Sequence, residues 1–482
     1  MSSGLYTALI TQAQALGIQQ KSIEIIGQNI ANVNNPQYSR QKVNITTEGT
    51  VRSSDGVQNM GIKIDSIVQN RSVFLDEQIV KDTSRLSYYE AQEEFNSMVE
   101  TAIGDKLNQS EEAAASNNEP DNVVGSAGIG AAISRFFNAV SSLATTPDDS
   151  TVKNKLFNEA SSLVDQFHTV SERLTDLSDS IDDKINTDVD KINTLLSQVA
   201  EVNEEIDRAE VETTGTALDL RDKRQALLEE LAGYINFHQS KDDEGRLQVA
   251  IYDEDGNDLL LVDNRTVKQT VSYDSTRTAT DEYAFYVGEA GSETWLDTTG
   301  GTAHGAWKTK TGVLKDLSDE MDTLASNLVT EFNSVYSGTV SGNNFFNSTG
   351  TTAATIDLDS TLTSGSDIEV NSDGSVGNND IMKALEDLGN SNISGLDNKT
   401  FHAYYVEKVT DAGNSINNIS LRKSNMESLN QLLEAKRQAY GGVSINEEVT
   451  DLMRYQRSFQ SISRVISVMN SLLEAIVNLG RL

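Results

Sequence analysis

Apolar residues recur every seven positions at both ends of the chain, as at the a and d positions of a coiled coil. Near the N-terminus the repeat comprises Leu9, Leu16, Ile23 and Ile30. Near the C-terminus it comprises Ile445, Leu452, Phe459, Ile466 and Leu473, with a second set at Tyr455, Ile462, Met469 and Ile476. Because an isolated amphipathic helix is marginal in water, we expect the two ends to pair along this seam.

The middle of the chain alternates between helical and extended patterns. Helical periodicity is found at about 71–103, 129–143, 156–206, 217–231, 312–337 and 398–439, and the first helix should end near Val33. Alternating residues predict strands over 43–68 and again over 236–306. Turns are predicted at 54–56 and at the Asp-Gly sequence of 253–256, and polar residues 108–128 predict a loop.

These elements predict a mainly α fold with inserted β structure, arranged as three nested domains. Residues 1–50 and 440–482 would form a terminal α-helical coiled coil. Residues 51–235 and 312–439 would form a long-helix bundle body with some β hairpin, and 236–311 a small, exposed β domain. A chain of 482 residues exceeds what one hydrophobic core usually supports, which favours such a division.

Charge and composition narrow the classes of function. The formal net charge is −35, yet residues 1–45 carry +2 and residues 440–482 carry zero, so the middle carries −37. Nucleic-acid binding needs the opposite sign and is not expected, although a generally acidic proteome would also explain the total. The sequence holds no cysteine, no cleavable secretion signal and no apolar run long enough for a membrane span, so no membrane association is expected.

We find no pattern that predicts an enzyme. The four histidines fit no metal motif, and a glycine-rich stretch at 125–130 follows a polar loop rather than a strand. The acidic turn at 253–256 has its glycine in the wrong position for a calcium loop, so a hairpin turn is the better interpretation. We therefore expect no catalytic residues, no cofactor and no bound metal.

Motifs at both ends resemble those of the bacterial flagellar rod, hook and hook-associated axial proteins. The N-terminal motif contributes Asn29, Asn32, Pro36, Tyr38, Ser39 and Arg40, and the C-terminal motif contributes Glu447, Glu448 and Gln456. Interior segments 71–78 and 218–228 are also similar to the hook-associated members. The family's usual Thr-Pro-Gly-Tyr is replaced here by Asn35-Pro36-Gln37-Tyr38, which suits a type I turn but not a type II turn.

The resemblance implies a structural protein that forms the junction between hook and filament by helical self-assembly. It would be exported through the flagellar type III apparatus, be secreted to the flagellum, and be needed for filament assembly and motility. Its implied partners are other copies of itself, the hook protein, a second junction protein, and a cytoplasmic export chaperone at the C-terminal helix.

Two alternatives remain open from the sequence. The chain could be another axial protein of the same family, from the hook or distal rod, although the contexts of Ser39-Arg40 and Glu447-Glu448 disfavour this. It could also be an adhesin-like protein whose β insert binds a surface ligand, and binding of the purified insert to a glycan or matrix array would support that.

Overall fold

The computed structural model describes residues 2–53, 56–59, 61–104, 128–211, 216–278, 280–289 and 291–479. Its helices are α1 (Ser2–Ala31), α2 (Val73–Ile103), α3 (Ile129–Thr145), α4 (Ser150–Ala209), α5 (Leu218–Tyr234), α6 (Gly301–Thr309), α7 (Lys315–Tyr336), α8 (Asp380–Asn390), α9 (Phe401–Gly441) and α10 (Ile445–Leu479). Its strands are β1 (Gln41–Thr47), β2 (Thr50–Ser53), β3 (Gly56–Asn59), β4 (Ile62–Gln69), β5 (His238–Lys241), β6 (Leu247–Tyr252), β7 (Asp258–Asp263), β8 (Thr266–Val267), β9 (Ser272–Tyr273), β10 (Phe285–Val287) and β11 (Thr294–Trp295).

This element order confirms the predicted mainly α fold with inserted β structure. Every described sheet is small and antiparallel, and the longest helix, α4, has 60 residues. The predicted turn at 54–56 and the loop at 108–128 lie largely outside the described residues.

The chain divides into two compact units. The first comprises Met1–Ser84, Ile192–Thr270 and Met426–Leu482, and the second comprises Arg85–Lys191 and Val271–Asn425. The region predicted as one β insert contributes the β5–β8 sheet to the first unit and the β9–β11 sheet to the second. The division into three domains stays a prediction.

In the first unit, a β hairpin and two helices bring the chain ends together. Strands β1 and β4 pair antiparallel with an irregularity at Asn44/Ile45, and α1 packs against both strands and against α10. The same unit contains the β5–β8 meander, where the turn at Asp253 is confirmed as a hairpin. The Asp253 carboxylate accepts the backbone N–H of Asn257 at 2.8 Å, and Gly256 adopts a φ of 78°.

The second unit is organised around an aromatic core. Phe136 of α3, Phe332 of α7, Phe345 and Phe346 are each fully buried. The rings of Phe332 and Phe345 have centroids 4.8 Å apart, and Phe136 lies 5.2 Å from Phe332. Such offset and tilted ring pairs stabilise a core beyond the area that they bury.

One predicted boundary was wrong. A helix was expected to begin near Gly312, but α6 already begins at Gly301, inside the region predicted to be β. Gly312 lies instead in a π-helical turn, Lys310–Leu314, with φ −101° and ψ −110°. The glycine marks a kink between two helices rather than a helix start, and the two cases look alike in sequence.

Candidate functional site

The two terminal helices, α1 and α10, pack against each other in the first unit. All nine proposed seam residues occupy half-buried positions, namely Leu9, Leu16, Ile23, Ile30, Leu452, Tyr455, Phe459, Ile466 and Leu473. Two other members of the repeat, Ile445 and Ile476, are 51% and 43% exposed. Both lie near an end of α10, and the seam stays a prediction at the level of individual contacts.

The helix pair leaves a large amount of apolar surface open. On α10 the exposed apolar side chains are Ile445, Val449, Met453, Val465, Val468, Leu472, Ile476 and Val477. On α1, Tyr6 is 61% exposed and Ile10 is 43% exposed. Clusters of exposed apolar side chains are typical of surfaces that associate with a partner.

Another side of α1 is buried more completely than the proposed seam. Ile18, Ile25 and Ile26 are each 6% exposed or less, and so are the polar side chains of Ser22 and Asn29. Helix α1 therefore has a second contact face, supplied by the β1–β4 hairpin as well as by α10. A strict seven-residue repeat describes only one of these faces.

Asn29 stands at the centre of a set of contacts between the two chain ends. Its Nδ2 donates to the backbone carbonyl of Gln41 and to the carboxylate of Glu448, both at 2.9 Å. Its Oδ1 accepts the Tyr38 hydroxyl at 2.9 Å and the Gln41 N–H at 3.0 Å. A side-chain amide offers two donors and two acceptor positions, so all four are used.

Arg40 supplies the charge that compensates this buried carboxylate. Its Nε donates to Glu448 Oε1 at 2.6 Å, and Glu448 is only 1% exposed. The same guanidinium also contacts Glu447 at 3.2 Å and Asp451 at 3.6 Å. We call Asn29, Tyr38, Arg40, Gln41, Glu447, Glu448 and Asp451 the terminal polar cluster.

The surroundings of Glu448 and Tyr38 suit the part that each plays in the cluster. Glu448 lies in the first turn of α10, where the helix dipole favours a negative charge. Burial, followed by the nearby carboxylates of Asp219, Asp222 and Glu448, raises the pKa of Tyr38 well above its usual value. Tyr38 therefore stays a neutral hydroxyl that donates to Asn29.

Backbone bonds tie the same point to the end of α9 and the end of β4. The N–H of Arg40 donates to the carbonyl of Gly441, and the N–H of Asn70 donates to the carbonyl of Arg40, both at 2.9 Å. Gly441 also has no room for a side chain, since an added Cβ would lie 2.3 Å from the Asn70 oxygen.

Helix α5 contributes a second buried carboxylate next to the cluster. Asp222 accepts from Arg71 Nη1 at 2.7 Å, Gln69 Nε2 at 3.0 Å and the Ser39 N–H at 3.3 Å. Burial raises the pKa of Asp222 to about 6, although Arg71 acts in the opposite direction. These bonds connect α5 to the segment that follows α1.

The predicted motif residues do not all join the cluster. Asn29, Tyr38, Arg40, Glu447 and Glu448 meet there. Ser39 reaches Asp222 through its backbone, whereas Asn32, directly after α1, bonds back to the Gln28 carbonyl of that helix. Pro36 and Gln456 are exposed.

The unusual turn sequence adopts the geometry that its residues allow. The N–H of Tyr38 donates to the Asn35 carbonyl at 3.2 Å, which closes a turn around Pro36 and Gln37. Gln37 does not have a positive φ, as the third residue of a type II turn would require. The Asn35 side chain also accepts the Gln37 N–H at 3.2 Å.

Two members of the cluster and one neighbouring residue were not predicted as site residues. Gln41, Asp451 and Asp222 carry no local signal beyond being polar next to motif residues. Gln41 directly follows the N-terminal motif and Asp222 lies in the similar segment 218–228, and each bonds to a residue distant in sequence. Asp451 lies one helical turn after Glu447, a spacing that places two carboxylates on one helix face.

The arrangement is suited to holding chain segments together. Within the described ranges there is no group of three or more His, Cys, Asp or Glu side chains placed to hold a metal ion. No helix of the described residues is long and apolar enough to cross a membrane. The terminal polar cluster holds the two chain ends together, and the exposed apolar side chains of α1 and α10 lie beside it.

Two family models match the chain. One describes the "Flagellar hook-associated protein FlgK helical domain" and matches residues 121–352. The other describes the "Flagellar basal body rod FlgEFG protein C-terminal" and matches residues 440–479. Together they cover more than half of the chain.

Similar proteins extend over nearly its whole length. Flagellar hook-associated protein 1 of Bacillus subtilis (strain 168) is 23% identical over 523 residues, covering 98% of each chain. The Salmonella typhimurium protein of the same name is 23% identical over 575 residues, covering 98% of this chain and 100% of its own. A solved structure, the flagellar hook junction protein FlgK from Burkholderia pseudomallei, is 18% identical with a TM-score of 0.44, covering 56% of this chain and 46% of that one.

The chain is an axial structural protein of the bacterial flagellum. Three observations define this class: the paired terminal helices, the polar cluster built from both terminal motifs, and the two family models. Within that class, the chain belongs to the flagellar hook-associated protein 1 family, as its resemblance implied. This is a family of structural proteins that assemble with other flagellar components.

Proposed function

We propose that the protein forms the junction between hook and filament by helical self-assembly, and that it has no catalytic activity. The observation that carries this proposal is the exposed apolar surface of α10, where Val468 is 60% exposed and Val477 is 57% exposed. When neighbouring copies cover such exposed apolar side chains, the free energy of the system falls, which favours association of the copies.

The proposal assigns the chain ends and the middle to different surroundings. Residues 1–50 with 440–482 would line the inside of the assembly, 51–235 with 312–439 would form the next layer, and 236–311 would face outward. The nearly neutral ends and the charge of −37 in the middle support this arrangement, because water solvates the acidic part best.

The proposed partners follow from the same surface. Copies of this chain would cover α10 laterally, with the hook protein on one side of the junction and a second junction protein on the other. Before type III export, a cytoplasmic chaperone would cover the apolar side chains of α10, which otherwise favour aggregation.

The experiment that tests this function is a clean deletion in the protein's own bacterium, imaged by electron microscopy. We expect completed hooks without filaments, and flagellin lost to the medium. Cells without hooks would instead indicate a hook or distal rod protein. Normal, motile filaments would contradict the proposal.

A further inference from the structure

The start of α2 presents two large apolar side chains to solvent. Val73 is 59% exposed and Phe74 is 67% exposed, whereas every other phenylalanine of the described ranges is buried or half-buried. A single exposed apolar residue is ordinary on a protein surface, but an adjacent pair that includes the least buried phenylalanine needs a physical reason.

The backbone that carries this pair is anchored to the fold. Arg71 donates to the carboxylate of Asp76 at 2.6 Å and to that of Asp222 at 2.7 Å. The N–H of Asp76 also donates to the Ser72 carbonyl at 3.1 Å, which closes the turn that leads into the helix. The pair is therefore held outward by an anchored helix start, so little conformational entropy is lost when a partner covers it.

Two further exposed apolar residues surround the same cavity, whose volume is about 410 Å³. Ser72 and Leu75, which flank the pair, line this cavity together with Tyr440 and Ser444. Tyr440, at the end of α9, is 60% exposed, and the residue after Ser444 is the exposed Ile445 of α10. We call this set the base patch, namely Val73, Phe74, Tyr440 and Ile445.

A second apolar cluster lies toward the other end of α10. This tail patch comprises Val465, Val468, Leu472 and Val477, which are between 45% and 60% exposed. Between residues 452 and 473 the helix carries arginines but no Asp or Glu. A partner can therefore cover this part without burying a carboxylate, while the long arginine side chains reach water at the edge of the contact.

Helical self-assembly requires two different surfaces on each copy. If the tail patch met the tail patch of a second copy, the contact would be two-fold symmetric and would close after two copies. A surface that meets a different surface repeats without closing. Outside α1 and α10, Val73 and Phe74 are the only exposed large apolar residues of the described ranges that are adjacent in sequence.

We propose that the base patch of one copy receives the tail patch of a second copy in a head-to-tail contact. The two copies would be offset along α10 by about 35–48 Å, which is the rise of the helix from Ile445 to the tail patch. Phe74 and Tyr440 are the anchors of the contact, since aromatic side chains dominate the energy of such interfaces. This inference rests on the proposed self-assembly and names the two surfaces that carry it.

The base patch is large enough to form the centre of such a contact. An aromatic side chain buries about 150–250 Å², and a specific interface buries about 800 Å² on each partner. Two exposed aromatic and two exposed aliphatic side chains thus supply roughly half of the area needed on this side, and a polar rim supplies the rest.

Disulfide cross-linking tests the contact directly, because the sequence holds no cysteine. Phe74→Cys and Val468→Cys, introduced into the same full-length chain, should join copies into a ladder of dimers and larger products when isolated flagella are mildly oxidised. Within one copy, Val468 lies about 35 Å along α10 from the base patch, whereas a disulfide needs Cα atoms within about 7 Å. A ladder therefore reports contacts between copies.

The matched control combines Phe74→Cys with Asn470→Cys. Asn470 is exposed on another side of the same helix, so this pair should give no ladder. Intact filaments without a ladder from the first pair would overturn the proposal. Dimers formed by Val468→Cys alone would overturn it as well, because they would place α10 against α10.

A charge variant tests the proposal even if the cysteine pair does not assemble. Phe74→Asp, expressed in the deletion strain, should leave the thermal midpoint of the monomer unchanged, because Phe74 is mostly exposed there. It should reduce the number of filaments per cell at least about tenfold, because a carboxylate would be buried between copies. Met98→Asp, at an exposed apolar position of the same helix, should support wild-type filament numbers.

The outcomes separate this contact from the junction role. A lowered thermal midpoint for Phe74→Asp would show that Phe74 stabilises the monomer, and wild-type filament numbers with this variant would show that the contact is not needed; either result would overturn the proposal. A wild-type phenotype in the deletion strain itself would refute the junction role instead.

Discussion

Arg40 and Glu448 show how two residues far apart in sequence hold the chain ends together. They are separated by 408 positions, and their contact buries a carboxylate almost completely. A buried ion pair adds little net stability compared with apolar residues, but breaking one side of it is costly because the other charge is left alone.

We expect Arg40→Gln to destabilise the terminal pair by about 3–5 kcal/mol, because Glu448 would stay buried without its cation. Glu447→Gln is the control: the Glu447 side chain is 66% exposed, so its loss should cost at most about 1 kcal/mol. The rate of hydrogen exchange at the Gln41 amide would measure the destabilisation caused by each of the two substitutions. Equal effects would contradict a special role for the buried carboxylate.

Asn96 of α2 is a polar residue whose side chain lacks partners. It is 0% exposed, and among the described residues neither its Nδ2 nor its Oδ1 has a hydrogen-bond partner. Asn96→Leu should raise the free energy of unfolding by about 1–3 kcal/mol, since an unsatisfied buried amide is removed. Urea titration would show this, with the exposed Asn138→Leu as a control that should change little.

Because of His304, we expect the stability of the second unit to fall at acidic pH. It lies between Tyr88 and Trp307, its Nδ1 bonds to Thr298 Oγ1 at 2.8 Å, and burial lowers its pKa to about 3. A lowered histidine pKa means that the unfolded chain binds the proton first. Its contribution to stability is therefore complete above about pH 6.5 and lost as the pH falls toward 3.

Between pH 6.5 and 5, the wild-type free energy of unfolding should fall through His304 by up to about 1.4 kcal/mol per pH unit. His304→Gln should flatten that slope in urea titrations at several pH values. His402, whose pKa burial also lowers, would keep part of the sensitivity. An unchanged slope would show that His304 does not control it.

At the scale of elements, helix α1 uses two faces that the repeat did not distinguish. Ile18 is 5% exposed, whereas Leu16 of the proposed seam is only half-buried. The hairpin that covers the face containing Ile18 comes from residues 41–69, which follow the helix, so the helix pattern alone could not reveal it.

The two faces should respond differently to truncation. Ile18→Ala should cost about 2–5 kcal/mol in the monomer, as expected for a buried aliphatic side chain. Leu16→Ala should cost less in the monomer and have its larger effect on incorporation into the assembly. Thermal unfolding and an incorporation assay would measure the pair, and the reverse order would contradict the assignment of the seam.

At the scale of the whole molecule, the exposed apolar surface of α10 is the clearest sign of assembly. Val468→Asp should leave the thermal midpoint of the monomer nearly unchanged, because Val468 is 60% exposed there. It should abolish filament assembly, because a charge would be buried between copies. The exposed Asn470→Asp on the same helix is the control for added charge, and should still support assembly.

Much of this protein could be predicted from the order of its residues. Periods of seven and of two are local properties, so both terminal helices, the long α4 helix and the hairpin at Asp253 were found where expected. The terminal motifs identified the family, because they are short and specific. Gly312 was misread, because a kink inside a helical region and a helix start use the same residue.

Only the tertiary structure decided which groups meet. Asn29 bonds to Glu448 across 419 positions, and no local pattern specifies a partner at that distance. The saturation of Asn29 and the burial of Glu448 depend on how several segments close around one point. Local sequence sets which elements form, whereas desolvation and hydrogen-bond partners arise only when those elements pack.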